Sequence, residues 1–223
     1  MPTQTEQRAE LSHERILDAA QEVIDAEGES ALTFRRLGAQ LGADPTAAYR
    51  YFKSKDDLLL ALGDRLLGEA MDQLSPGQTW RGDLTQLAHH LRDALVSHPR
   101  LAVLISVRTT QGEQEARGIE HILATLADAG LSTQDAVRVW RALADTVLAW
   151  SGFSAAYLAL PDDIKTREAT WTTAYRRLPA DSYPHIHAAR PYLDEDADAF
   201  DFAIELLLDG VATRIAASHQ ENR

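Results

Sequence analysis

With 223 residues, of which 45% are apolar, the chain is long enough for one large domain or two modest ones around a sizeable core. It contains no cysteine, which excludes disulfides, thiolate catalysis and cysteine-ligated zinc. No run approaches the roughly 20 apolar residues needed to cross a bilayer, and the N-terminus has no apolar signal core, so we expect a cytoplasmic protein without a membrane partner. A net charge of −12 argues against a nucleic-acid partner unless positive charge is concentrated locally.

The first two predicted helices lie in the N-terminal quarter of the chain. Apolar residues recur at helical spacing from Leu11 to Glu27, and Gly28 ends that pattern. A second helix is predicted over Phe34 to Leu41, because Thr33 is a good N-cap and Gly42 readily takes the left-handed conformation that ends a helix. The tight turn that follows predicts a third helix packed nearby.

That third helix is predicted to start at Pro45, after the N-cap Asp44. Ala47 and Ala48 have short side chains, so nothing protrudes from that part of the helix surface. Residues with hydroxyl groups lie directly before and after them. Between residues 31 and 55 there are five basic residues against one acidic residue, a local charge of 5 − 1 = +4. A basic island in an acidic chain indicates a surface that faces phosphates. The alternative is an ordinary helical hairpin with a solvated basic face.

The stretch LTFRRLGAQLGADPTAAYRYFKSKDDLL resembles the helix-turn-helix of the tetracycline-repressor (TetR) family of bacterial regulators. The resemblance rests on the LT start, the LG turn, the aromatic YRYF sequence and the KSK entry to the next helix. It implies an N-terminal three-helix DNA-binding domain over residues 1–53. The residues expected at the DNA are Thr33, Arg35, Pro45, Thr46, Ala47, Tyr49, Tyr51 and Lys55. Arg35 is expected to pair with guanine, while Arg50 is left open between DNA and solvent.

The rest of the chain is predicted to be helical, with no strand, so the fold class is all-α. Ser54 and Asp57 form a capping box at the start of the next helix. This helix joins the N-terminal three-helix domain, the head, to the rest of the chain, the body. Further helices are predicted at about 81–97, 99–108, 112–129, 133–159, 162–176 and 196–217. Residues 178–195 contain three prolines and are predicted to be a long loop. The resemblance implies that residues 54–223 form a larger helical domain for effector binding and dimerisation.

Two of these helices, 133–159 and 196–217, have wide apolar surfaces. In the TetR family the corresponding helices form a four-helix dimer interface, so the resemblance implies a homodimer; core helices of a monomer are the alternative. The segments ALVSHPRLAVL, LADAGLS and FDFAIELLLDG also resemble the tetracycline-repressor body. That repressor has histidines for magnesium-tetracycline around Met71, Leu104 and Ile105, where this chain is apolar, so we expect a different ligand.

A ligand cavity is expected in the body, where aromatic residues concentrate in two neighbouring helices. The candidate ligand-binding residues are Arg108, Trp140, Asp145, Trp150, Phe153, Tyr157, Trp171 and Tyr175. Arg108 and Asp145 are polar residues within apolar patterns that would orient a ligand. Aromatics at helical spacing are more often part of a solid core, which is the alternative. His185 and His187 lack a spaced third ligand, so we expect no metal and no other cofactor.

These features predict a homodimeric repressor that binds a palindromic double-stranded DNA operator and is released by a small, largely hydrophobic effector. Two recognition helices about 34 to 36 Å apart would read successive major grooves. An activator or a ligand-independent regulator is the nearest alternative, and a helical small-molecule-binding protein without a DNA role is another. An enzyme is not expected, because no phosphate-binding glycine loop, nucleophile elbow or zinc-protease motif occurs in the sequence.

Overall fold

A computed structural model describes residues 11–75, 77, 79–193 and 199–221, and every regular element among them is a helix. The α-helices are α1 His13–Glu27, α2 Phe34–Leu41, α3 Lys55–Asp72, α4 Trp80–Ser97, α5 Pro99–Ile105, α6 Glu113–Asp128, α7 Thr133–Leu158, α8 Asp162–Glu168, α9 Trp171–Arg176, α10 Pro184–Ala189 and α11 Ala199–Glu221. Three short 3₁₀ helices cover Glu29–Ala31, Pro45–Arg50 and Arg190–Tyr192. The predicted all-α class is confirmed.

Three elements differ from the sequence-based expectation. The helix predicted from Pro45 is a 3₁₀ helix, in which Ala47 N–H bonds to the carbonyl of Asp44 at 2.9 Å. The helix predicted over residues 162–176 is divided into α8 and α9. The loop predicted over 178–195 instead contains α10 and a 3₁₀ helix, because Pro184 and Pro191 lie in first turns, where the missing N–H costs nothing.

Close packing of α2 against the next segment explains why a glycine lies inside that helix. A Cβ atom on Gly38 would lie 2.9 Å from the carbonyl oxygen of Ala43 and 3.0 Å from the Cα of Pro45. Gly42 ends the helix in the left-handed region, with φ +61°. The two glycines together let the 3₁₀ helix Pro45–Arg50 lie directly against α2.

The long helix α3 joins this N-terminal head to the body. Its N-cap Ser54 accepts a hydrogen bond from Asp57 N at 3.0 Å, and the Asp57 carboxylate accepts one from Lys53 N at 2.9 Å. The predicted capping residues are thus confirmed, although the return bond reaches the residue before the cap. Leu62 and Leu66 are fully buried, and α3 packs on α1 in the head and on α4, α5 and α6 in the body.

Two apolar clusters form the core. The first extends from α1 and α2 through α3 to α5, so it runs across the predicted boundary between residues 53 and 54. The second joins α4, α6, α7 and α11. The core therefore couples the head to the body through α3.

No single helix of the described ranges is long and apolar enough to cross a membrane. Only α7 taken together with residues 162–176 has the necessary length and apolar composition, and the two parts of that pair are bent by 117°.

Candidate DNA-binding surface and ligand cavity

The basic face of the head combines free and engaged cations. The side chain of Arg35 is exposed and has no hydrogen bond or ion pair within the described ranges. Its neighbour Arg36 is instead held by Glu27, at 2.7 Å between Nη2 and Oε1. Thr33 is exposed, and its hydroxyl accepts the backbone N–H of Arg36 at 3.0 Å, as predicted for an N-cap. Arg35 is therefore available to an external partner at the start of α2.

The 3₁₀ helix presents small and polar groups next to that arginine's helix. Pro45 and Thr46 are exposed and Ala47 is partly exposed. Asp44 Oδ1 accepts hydrogen bonds from Thr46 N at 2.8 Å and Thr46 Oγ1 at 2.6 Å, and the side-chain bond, followed by the backbone bond, lowers the pKa of Asp44. Tyr49 is 56% exposed, and its ring lies 4.2 Å from that of Phe34. These residues form a low surface that a duplex can approach.

The last two candidate DNA contacts are engaged within the protein. The hydroxyl of Tyr51 donates to the backbone oxygen of Leu11, at the start of the described chain. Lys55 Nζ lies 2.7 Å from Glu29 Oε1. The other six candidates are exposed or partly exposed and have no long-range polar partner among the residues that the structure describes, whereas Tyr51 and Lys55 bond to the N-terminal part of the head.

A cavity of about 610 Å³ lies in the body, within the size range of sites for small ligands. Its walls come from α3, α4, α6, α7 and the α5–α6 loop, residues 106–112. Most of the lining is apolar, including Leu66, Met71, Leu91, Ile122 and Leu148. This composition suits a largely apolar molecule, because burying an apolar surface there removes it from water without leaving polar groups unpaired.

Of the eight candidate ligand-binding residues, Arg108, Trp140 and Asp145 line this cavity. The expectation that the other five line it is not met in the protomer. Trp150 packs against the second core cluster, and Phe153 is 72% exposed. Tyr157 is exposed on α7, and Trp171 and Tyr175 are exposed on α9. On α7 the cavity lining ends at Ala149, and residues 150, 153 and 157 follow it in the last turns of the helix.

Sequence reasoning missed most of the cavity wall. The leucines of α3 and α4 and Ile122 follow the same 3.6-residue pattern as core positions, so no signal distinguishes a cavity lining from a solid core. Apart from Arg108, the α5–α6 loop was also missed. It contains Gln111, whose φ of 57° is unusual for a residue with a side chain, and it is bonded to α3 at two points.

Asp64 provides the first of these connections. Its carboxylate accepts hydrogen bonds from Thr110 Oγ1 at 3.0 Å, Gln114 N at 3.1 Å and Glu115 N at 2.9 Å. It therefore caps α6 from a neighbouring helix and satisfies amides that have no partner inside α6.

Arg108 provides the second connection, to Asp56 in the first turn of α3. Nη1 lies 2.7 Å from Oδ1 and Nη2 donates to Oδ2 at 2.8 Å, a two-bond fork. The side-chain hydrogen bond lowers the pKa of Asp56 and raises that of Arg108. The cavity wall is thus bonded to the residue that follows Lys55.

Part of the surface of α7 and α11 remains apolar and exposed. Phe202 is 60% exposed and Leu206 is 56% exposed on α11, and Phe153 is exposed on α7. Side chains of this size exposed together are typical of an interaction surface. Within the described ranges, no group of three or more histidine, aspartate or glutamate residues could hold a metal ion.

The sequence matches two family descriptions that together cover most of the chain. Residues 16–62 match "Bacterial regulatory proteins, tetR family", and residues 75–215 match "Tetracyclin repressor-like, C-terminal domain". An HTH-type transcriptional regulator of Saccharopolyspora erythraea is 29% identical over 180 residues, which are 77% of this chain and 76% of that protein. An HTH-type transcriptional repressor of Mycobacterium tuberculosis is 33% identical over 147 residues, 63% of this chain but only 56% of that one.

Solved structures show the same architecture. The Streptomyces coelicolor TetR family protein ActR in complex with actinorhodin superimposes with a TM-score of 0.78 at 26% identity, covering 92% of this chain and 98% of that one. The helical head, the bridging helix and the body of this chain therefore correspond to a known arrangement. The chain belongs to the tetR family of bacterial regulatory proteins and is a DNA-binding transcriptional regulator.

Proposed function

We propose that the protein is a homodimeric repressor that binds a palindromic operator and is released from it by a small, largely apolar ligand. The observation that carries this proposal is the geometry of α3. Its first turn follows the exposed basic surface of the head, and its later turns line the cavity through Gly63, Leu66 and Met71. A ligand that shifts α3 would therefore shift the head.

The DNA contacts in this proposal are the eight residues of the head. Arg35 pairs with a guanine edge, because an unpaired guanidinium matches the two acceptors of guanine in the major groove. Pro45, Thr46 and Ala47 meet base edges or thymine methyls, and Thr33, Tyr49, Tyr51 and Lys55 hold phosphates. Lys55 must exchange Glu29 for a phosphate when DNA binds.

The homodimer rests on the exposed apolar face of α7 and α11. A symmetric dimer buries that face and presents two heads to two half-sites of one operator. In this arrangement residues 1–53 form the DNA-binding domain and residues 54–223 the effector-binding and dimerisation domain. The protein acts on DNA in the cytoplasm and has no catalytic role.

The effector-responsive repressor role has support from the relatives. The Mycobacterium tuberculosis relative is named a repressor, and ActR was solved with actinorhodin bound. In this chain Arg108, Trp140 and Asp145 are the proposed ligand contacts, because they line the cavity. The five other aromatics are proposed as ligand contacts only if dimerisation brings them to a cavity.

The test is binding of the purified protein to the DNA upstream of its own gene, by mobility shift across a salt series, with a shuffled duplex of equal length as control. A panel of apolar compounds is then added to the complex. We expect a specific, salt-sensitive complex that at least one compound dissolves. The absence of a specific complex at low salt would contradict the proposal.

A further inference from the structure

We propose that the effector carries an acidic group on an apolar body, and that this group binds Arg108 in place of Asp56. The proposal rests on the proposed function, because it names the ligand class of the same cavity. Its distinguishing observation is a cavity-lining arginine whose carboxylate partner lies outside the cavity lining.

The charges around the cavity select Arg108 among the lining groups. The other lining arginine, Arg141, lies 3.6 Å from Asp145, which also lines the cavity. Glu115 is occupied by the loop, since its Oε2 accepts Gln111 N at 2.6 Å and Thr110 Oγ1 at 3.1 Å. Arg108 is therefore the lining cation that an anion can reach by displacing a carboxylate outside the cavity.

The exchange is chemically matched. Asp56 engages Arg108 through two parallel bonds, and a carboxylate or sulfonate on the ligand offers the same pair of acceptor oxygens. The ion pair is partly exposed, with 32% of the Arg108 side chain and 61% of the Asp56 side chain accessible. Because exposed ion pairs contribute little to stability, a second anion can displace Asp56 at small cost.

The displaced carboxylate is not left unfavourably placed. Asp56 lies in the first turn of α3, where the free N–H groups and the helix dipole stabilise a negative charge. Exchange therefore releases the α5–α6 loop from the first turn of α3, while the connection through Asp64 remains. The interaction that is lost is the Arg108–Asp56 ion pair, which lies next to Lys55 in the sequence.

The test uses two fluorescent probes that share an aromatic skeleton. 1-Anilinonaphthalene-8-sulfonate carries one sulfonate, and N-phenyl-1-naphthylamine lacks it. We expect Arg108→Gln to weaken binding of the sulfonate probe about tenfold, because the charge-assisted fork is lost. The same variant leaves binding of the neutral probe unchanged, since the apolar walls are intact.

The competing carboxylate gives an effect of opposite sign. Asp56→Asn is expected to tighten sulfonate binding several-fold and to leave the neutral probe unchanged, because the amide competes less well for Arg108. The matched control is Asp72→Asn, which breaks the exposed ion pair with Arg117, also 2.7 Å long, at the other end of α3. That control leaves both probes unchanged.

The proposal is overturned if Arg108→Gln binds the sulfonate probe as tightly as the wild type does. It is also overturned if Asp56→Asn changes the affinities for both probes equally, or if Asp72→Asn has the same effect as Asp56→Asn. Circular dichroism and thermal melting of each variant show that it is folded, and Arg108→Lys, which keeps the charge but not the fork, is expected to be intermediate. Probe binding is measured without DNA. Failure of operator binding therefore counts against the repressor function alone, and failure of the probe pattern against the role of Arg108 alone.

Discussion

The ammonium group of Lys55 lies 2.7 Å from the Oε1 atom of Glu29 and 2.7 Å from the backbone oxygen of the same residue. This pair connects the first turn of α3 to the 3₁₀ helix Glu29–Ala31. The same pair engages the ammonium group of Lys55, which we propose binds a DNA phosphate. Glu29 therefore competes with DNA for Lys55.

Replacing that glutamate tests the competition. Glu29→Gln is expected to tighten binding to the upstream DNA and to steepen the plot of log affinity against log salt by up to about 1, because Lys55 becomes free to neutralise a phosphate. Fluorescence anisotropy across a salt series measures both. Glu120→Gln, an exposed residue of α6, removes the same charge from the body. An equal effect of both variants would show a general charge effect without a role for Lys55.

Two adjacent arginines provide a matched pair for base recognition. Arg35→Ala is expected to cost about 1 to 3 kcal/mol of operator binding and to relax specificity, because its guanidinium has no partner in the described part of the chain and can bond to a base edge. Arg36→Ala is expected to cost less DNA affinity and more stability, since Arg36 bonds to Glu27 at 2.7 Å. Titration with operator and shuffled duplexes measures the difference. Equal losses on both duplexes would place Arg35 at a phosphate.

The cap of the 3₁₀ helix predicts a dependence on acid pH. The Thr46 bonds hold the pKa of Asp44 below the usual 3.8, so the charged carboxylate stabilises the folded state fully above pH 3.8. That contribution is lost as the pH falls through the lowered pKa. Asp44→Asn is expected to be less stable than the wild type at pH 6, with a difference that shrinks below pH 3.8. A constant difference in thermal melting temperature across this range would contradict the assignment.

A substitution at Gly112 tests the packing of the α5–α6 loop, which forms part of the cavity wall. A Cβ atom there would lie 2.2 Å from the Cγ of Asp64, whose carboxylate accepts three hydrogen bonds from the start of α6 and Thr110. Gly112→Ala is expected to cost about 1 to 3 kcal/mol of unfolding free energy, because the carboxylate must move and lose those bonds. Urea denaturation measures it.

Gly118→Ala is the matched control for that substitution, since its Cβ would make an ordinary contact at 3.7 Å with the sulfur of Met71. Within a helix this change is expected to be neutral or stabilising by up to about 1 kcal/mol. Equal destabilisation by both variants would show that the Asp64 contact has no special cost.

The exposed face of α11 tests the dimer. Leu206→Glu and Phe202→Glu are expected to convert a dimer into a chain of 24.6 kDa, because a charge placed in an apolar interface loses its hydration. Light scattering after size exclusion measures the mass. Val103→Glu, at an apolar residue of α5 that is 42% exposed, is the control and is expected to keep the dimer. A monomeric wild type would contradict the homodimer.

The helical class and most of the head were predictable because they depend on local interactions. Thr33, Gly42, Asp44 and Ser54 begin or end helices through bonds to residues within a few positions, and the structure shows each of them in that role. The charge reversal between residues 31 and 55 was equally visible, since charge needs no tertiary information. Prolines misled the prediction near Pro184, because proline begins a helix as readily as it interrupts one.

By itself, the sequence determined which segments are helical, where their caps lie, and that the N-terminal head is a basic surface on an acidic chain. The tertiary structure alone decided which apolar residues surround a cavity, because leucines facing a void and leucines facing a core have the same spacing along a helix. It also decided that Arg108 meets Asp56 and that Lys55 meets Glu29. These pairs are 52 and 26 residues apart, and only the packing of helices sets which distant charges come within hydrogen-bonding distance.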